Sequence, residues 1–377
     1  MKKIVFVCQT TGYLIVDIIN NFPENYSNVS LIAGHIESSE RSLNSKVELT
    51  KIISYNKKNI VTRTCTWLYS MIQISYYLFF KFKDHEIVYV TNPPMSYFLS
   101  LFIKNTFSII VFDIYPDALK NINIGSRNII YKLWVRVNKI VFNKAKIIFT
   151  IGSAMAVKLE QYVKKEKVIL INNWSGFNEF KKMRKNENLF IKNNCLENKF
   201  IVMYSGNLGF THSLEAIIEV AKRLIQDEHI KFVFIGEGKK KKMLLKLTKD
   251  YNLTNCLFLP WQDKDNVRFT LSCANLGVVT LNKETASLSV PSKTYNLLAS
   301  GAPILSIAPD KSELSDMIKK YNNGANFNES NIDLICQYII EIKNDVSKQN
   351  KLSNRSLIAS RDFTYSNAKK YLSYIDM

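Results

Sequence analysis

The chain has 377 residues, with 51 Lys+Arg against 32 Asp+Glu and a formal net charge of +19. That length predicts two or three domains, and a 47% share of hydrophobic residues excludes a disordered chain. Six cysteines with no CxxC pair argue against a disulfide scaffold and a zinc ribbon.

The first apolar run, Ile4–Cys8, is too short for the core of a signal peptide and lacks a small-residue cleavage site. A cytosolic, reducing setting is therefore expected. Short β-branched runs predict strands at Lys3–Cys8, Asn28–Ala33, Glu86–Thr91, Ser108–Asp113, Lys146–Gly152 and Lys167–Asn172. The uncharged stretch Thr64–Phe80 has 17 residues and includes Thr, Ser, Gln and Tyr. A span needs about 20 mostly apolar residues, so a buried or interfacial helix is expected. Ile130, Leu133, Trp134, Val137 and Val141 repeat at helical spacing and predict one apolar stripe. Ala154–Val163 reads as another short helix.

The polar stretch after Asn178 has no clear period and reads as a linker. Strands then restart at Phe200–Ser205, Lys231–Gly236, Cys256–Pro260, Leu276–Leu281 and Pro303–Ile307, alternating with helical patterns. Two doubly wound α/β domains follow, with ligands at the carboxyl ends of their strands. Expected boundaries are 1–180, a linker over 181–198, a second domain over 199–352, and a C-terminal helix over 353–377 that returns to the first domain.

Four places in the second half could carry chemistry. Tyr204–Glu215 runs a strand into Gly206 and Asn207 and on to a helix at Ser213, either a phosphate site or an ordinary turn. Phe232–Gly238 runs a strand into Gly236, Glu237 and Gly238, but Lys241 stands where a GxGxxG fingerprint needs glycine. Cys256–Trp261 ends at Pro260 and Trp261, where a ring either holds a nucleobase or packs on the next helix. Val290–Pro303 places Pro291, Ser292 and Lys293 at a helix start. A lysine there opposes the helix dipole, and an anionic ligand would relieve the repulsion.

Together and in this order, these pieces resemble the family 4 glycosyltransferases of the bacterial surface-polysaccharide branch, including N-acetyl-L-fucosamine transferase-like proteins. Asp113–Leu119 (DIYPDAL) and Asn172-Asn173-Trp174 resemble first-domain stretches of that branch. The resemblance implies the GT-B fold, two Rossmann-like domains facing across a cleft. It implies retaining, metal-independent transfer from a nucleotide sugar, UDP-linked in preference to GDP-linked, with no cofactor. The acceptor is expected to be a polyprenyl diphosphate-linked saccharide for capsule, O-antigen or exopolysaccharide. It marks Lys293 as the diphosphate contact and Asp113 and Asp117 as acceptor-side candidates. The donor site is expected at Gly206, Asn207, His212, Gly236, Glu237, Gly238, Pro260, Trp261, Glu284, Ser292 and Lys293.

This chain departs from the family pattern where an Arg and a Lys usually follow the SG turn, holding Asn207 and His212 instead. The usual paired glutamates fall at Leu288 and Asn296, which leaves Glu284 as a substitute. An inactive nucleotide-binding scaffold and a UDP-sugar epimerase of the same fold therefore stay open. Asp263-Lys264-Asp265 reads as a helix cap rather than a metal site. No nucleic-acid module is present.

The charge is uneven. Residues 51–150 hold 14 Lys+Arg and 4 Asp+Glu, which is +10 of the +19, while codon bias is one source of lysine elsewhere. Lys132, Arg136 and Lys139 beside Trp67 and Trp134 suit an anionic membrane surface. The expectation is a peripheral protein on the cytoplasmic face of the plasma membrane, docked through its first domain.

Overall fold

The structure, a computed structural model, describes residues 2–37, 40–56, 58–117, 128–177, 187–283 and 291–377, without the side chains of Lys264 and Asp265. Glu284, Leu288, Ala118 and Leu119 lie outside the described residues. The chain divides into two units, residues 1–176 with 365–377, and residues 177–364.

The first unit is built on strands β1 (Lys3–Val7), β3 (Asn28–Ala33), β5 (Val47–Lys51), β6 (Glu86–Val90), β7 (Phe107–Val111), β8 (Ile148–Thr150) and β9 (Val168–Leu170). All pair in parallel, in the order β5-β3-β1-β6-β7-β8-β9. Two-residue strands β2 (Thr10–Thr11) and β4 (His35–Ile36) form a separate ribbon. Helices α1 (Tyr13–Ile19), α2 (Ile60–Phe80), α3 (Ile129–Lys144) and α4 (Ser153–Leu159) accompany the sheet. The central strands are apolar on both faces because helices cover both. β5, read as no element in the sequence, is an edge strand with three exposed residues, so its sequence VELTK lacks the continuous apolar run.

The second unit carries α5 (Leu189–Asn193), β10 (Phe200–Ser205), α6 (Leu214–Arg223), β11 (Ile230–Ile235), α7 (Lys241–Asp250), β12 (Cys256–Leu259) and α8 (Lys264–Ser272). It continues with β13 (Leu276–Thr280), α9 (Lys293–Ala299), β14 (Ile304–Ile307), α10 (Glu313–Tyr321), β15 (Gly324–Phe327), α11 (Ile332–Asn344) and α12 (Val346–Ser360). Its six parallel strands run β12-β11-β10-β13-β14-β15, so the order reverses between β10 and β13. That reversal is where an open α/β sheet holds its ligand.

Two boundaries differ from the sequence reading. The stretch expected as a linker, 181–198, contains α5, whose Phe190 and Ile191 are buried with Leu196 in the core of the second unit. Its few apolar residues, Leu189, Phe190, Ile191 and Leu196 among them, stand among charged and amide neighbours and show no period. The return to the first unit begins at Tyr365, not 353. α12 stays in the second unit, where Ser353 and Ser356 donate to the carbonyls of Gly301 and Ala302. α13 (Ser366–Asp376) belongs to the first unit and buries Ala368, Tyr371 and Ile375 against β-sheet residues such as Phe149. There Asp17 takes a bidentate Arg41 at 2.7 Å and the Trp174 indole N–H at 2.8 Å. This buried ion pair ties the Asn172-Asn173-Trp174 stretch to α1.

Candidate donor site

The site grows from the turn after β10. Gly206 N donates to the Ile235 carbonyl at 2.9 Å and Gly236 N to that of Leu259 at 3.0 Å. Leu208 N donates to the Glu237 carbonyl at 2.8 Å. Each turn is thus stitched to the next strand's end. A Cβ on Gly236 would lie 2.2 Å from the Gly206 carbonyl oxygen, so glycine is required there by a neighbouring backbone. Gly236, Glu237 and Gly238 brace the neighbouring turn and are not among the described residues that line the cavity beside it. Glu237 pairs outward with Lys241 at 2.5 Å. Lys240 is buried and joins Glu215 and the His212 carbonyl. Ser213 precedes α6 but spends its hydroxyl on Glu329 rather than on the helix.

The cavity has a volume of about 480 Å³. It is lined by Ser205, Gly206, Asn207, Thr211 and His212 from the first turn and by Ile235, Trp261 and Gln262. Val267, Thr270 and Leu271 of α8, Leu281 after β13, and Pro291, Ser292, Lys293, Asn296 and Leu297 complete it. Of the sequence candidates it unites Gly206, Asn207, His212, Trp261, Ser292 and Lys293 at one place. Pro260 is adjacent but does not line it; its carbonyl takes the Gln262 amide at 3.0 Å. Trp261 is 54% exposed, so its ring is not spent on core packing. The α8 residues and Leu281 were missed because core packing alone would place Val267, Thr270, Leu271 and Leu281 there.

Lys293 is the charged group among the described residues that line the site. Burial pulls its pKa from 10.5 down to about 7. Its ammonium meets no carboxylate among the described residues and instead lies 2.6 Å from the Tyr204 hydroxyl. His212 differs from the cation that the family pattern places there. Its Nδ1–H donates to the Thr280 carbonyl at 2.8 Å. Burial, with Lys293 nearby, pushes its pKa down to about 4. The ring is therefore neutral, and its Nε2 is an acceptor. It suits a ligand hydroxyl, not a phosphate.

In the first unit, Asp117 is 4% exposed and accepts from Tyr131 at 2.9 Å and Tyr162 at 2.7 Å, with Lys158 at 3.5 Å. Asp117 thus joins the segment after β7 to α3, to α4 and to Tyr162 just beyond it. Asp113 is exposed just beyond β7. Among the described residues no group of three or more His, Cys, Asp and Glu is placed to hold a metal ion.

The expected membrane-facing residues divide. Lys132, Arg136 and Lys139 are exposed on α3. Trp67 and Trp134 turn inward: the first donates to the Pro94 carbonyl at 3.1 Å, and the second stacks on Tyr115 with centroids 5.9 Å apart. Ile130 and Leu133, expected on a buried stripe, are 63% and 61% exposed. α2 buries only Ser70, Ile74 and Leu78, leaving Leu68, Tyr69, Ile72, Tyr76 and Phe80 exposed. No described helix is long and apolar enough to cross a membrane.

Residues 185–357 match the family model described as glycosyl transferases group 1. WcaI of Escherichia coli, named as a colanic acid biosynthesis glycosyl transferase, is 32% identical over 175 residues. That match covers 46% of this chain and 43% of WcaI, less than half of either. WbjE of Pseudomonas aeruginosa, named as a glycosyltransferase, is 24% identical over 289 residues, 74% of this chain and 71% of that protein. Among solved structures, Anabaena HepE in complex with UDP-glucose aligns with a TM-score of 0.74 at 13% identity, covering 100% of this chain and 99% of that one. WaaG, a glycosyltransferase involved in lipopolysaccharide biosynthesis, aligns at 0.72 and 12% identity, covering 99% of each chain. Residues 185–357 are thus similar to the group 1 glycosyl transferases, and the chain that carries them has the two-domain GT-B fold.

Proposed function

We propose that the chain is a retaining glycosyltransferase of surface-polysaccharide biosynthesis. It moves a hexosyl or N-acetylhexosaminyl group from a UDP-sugar to a polyprenyl diphosphate-linked saccharide, in a capsule, O-antigen or exopolysaccharide pathway. The observation that carries this reading is Lys293. A desolvated ammonium facing a cavity of about 480 Å³, without a carboxylate among the described residues, is a site for an anion. Trp261 offers a face for the base, and neutral His212 an acceptor for a sugar hydroxyl. That HepE holds UDP-glucose on the same fold supports a UDP-linked donor. A fixed cation stabilises the charge that develops on the departing diphosphate, so the proposed transfer needs no metal.

The test is incubation with UDP-sugars and a lipid-linked acceptor fraction in EDTA, with the new linkage read by NMR. The expected product keeps the donor's anomeric configuration. UDP binding without turnover would replace this reading by an inactive scaffold, and a sugar inverted at one carbon by an epimerase.

The proposal places the protein on the cytoplasmic face of the plasma membrane. The exposed apolar side chains of α2 and α3 lie among Arg63, Lys132, Arg136 and Lys139, and the segment Ser96–Leu101 packs against both helices. Apolar side chains among basic ones suit an anionic leaflet. Each basic residue near such a surface is worth about 1 kcal/mol, roughly fivefold. Charge reversal at Lys132, Arg136 and Lys139 together is therefore expected to weaken binding to phosphatidylglycerol vesicles by about a hundredfold in a sedimentation assay. Binding that ignores both salt and these changes would exclude electrostatic docking.

A further inference from the structure

We propose that Tyr204 is a positioning residue for Lys293: a neutral group that holds the anion-binding ammonium in place without cancelling its charge. The inference rests on the reading of this cavity as a nucleoside-diphosphate site.

Tyr204 is the fifth residue of β10 and 1% exposed, which in a sequence reads as a core aromatic. Its hydroxyl has more to do. It donates its one proton to the Asn207 carbonyl at 2.7 Å. Its oxygen therefore meets Lys293 as an acceptor, at 2.6 Å. The ammonium also lies 3.9 Å from the centroid of the same ring, within cation–π range. One tyrosine thus holds Lys293 through a lone pair and a ring face. An ammonium has three N–H donors, and one is spent on the hydroxyl. Among the described residues the other two meet no acceptor, which leaves them for a ligand.

Gly206 completes the seat. A Cβ there would lie 2.7 Å from the Lys293 Nζ and 2.9 Å from its Cε. The turn is open at the point where the ammonium rests. The Asn207 carbonyl that orients the phenol belongs to the same turn, so the turn, the phenol and the lysine are set together.

The choice of a phenol matters chemically. A carboxylate at this place would hold the lysine more strongly, but it would compete with every anionic ligand for the same charge. A phenol whose proton is already committed fixes position and leaves the net positive charge available. Tyr204 needs no contact with the ligand for this.

Tyr204→Phe removes the acceptor oxygen and keeps the ring in the core. Dissociation constants are to be measured for UDP by calorimetry and for uridine by NMR titration, with circular dichroism as the check on folding. A hydrogen bond to a charged group is lost, so UDP is expected to bind about tenfold more weakly while uridine is unchanged. Equal weakening of UDP and uridine in Tyr204→Phe would reduce the residue to a packing role and overturn the proposal. So would unchanged UDP affinity. If the wild-type chain binds uridine but not UDP, or neither, the nucleotide-site reading fails first, and that result is distinct from both.

Discussion

Lys293→Met is expected to lower transfer by at least about a hundredfold while leaving the protein as stable as before or more so. The loss follows from the site. Removing one fixed donor aimed at developing charge costs about 10²–10³ in turnover, and among the described residues no second cation lines this cavity. The gain follows from the same burial. Folding takes the lysine from a pKa of 10.5 down to about 7, so the folded state disfavours its charge. The cost is therefore largest below about pH 7 and fades as pH rises toward 10.5. Met is unbranched and fills the same channel without a charge. Tyr204 keeps its bond to Asn207. A rise of about 2–4 °C in melting temperature at neutral pH corresponds to each kcal/mol recovered. A variant that loses activity because its melting temperature drops would show a packing role instead.

The affinity for UDP is expected to fall with rising pH, by about tenfold per unit above roughly pH 7.5. In the free protein Lys293 titrates near 7. A bound diphosphate favours the ammonium and raises that value, so binding takes up a proton. The stabilised form is the charged one: affinity is full below about 7 and is lost above it, up to the bound-state pKa. His212 stays out of this window because its pKa is near 4, and the terminal phosphate of UDP titrates below it, near 6. Lys293→Arg separates the causes. Arginine stays charged throughout, so its UDP affinity is expected to be weaker but flat from pH 7 to 9. Calorimetry across that range reads both slopes.

Most strands were legible because interior parallel strands must be apolar on both faces, as in KIVFV and FVFIG. β5 and β15 escaped because edge strands need no such run: β15 reads GANF, with all four residues half-buried. α5 escaped because Phe190, Ile191 and Leu196 make too short a pattern. The site was legible where chemistry and backbone coincide in a few consecutive residues, as at Pro291-Ser292-Lys293. It was ambiguous where glycine serves a neighbour. Gly236 and Gly238 look the same in sequence whether a ligand or another turn passes close by. The surroundings of Asp117 were hidden for a different reason. Its partners stand 14 and 45 residues away, and only the fold brings Tyr131 and Tyr162 around it. Tyr204 was invisible because a buried aromatic in a strand is what packing alone would place there.

Calorimetric titration of UDP into the wild-type chain at pH 7 in EDTA tests the central claim most directly. One site per chain is expected, with no measurable binding in Lys293→Met. Absence of UDP binding to the wild type, or equal binding to both proteins, would contradict the assignment of the second-unit cavity to a nucleotide sugar held by Lys293.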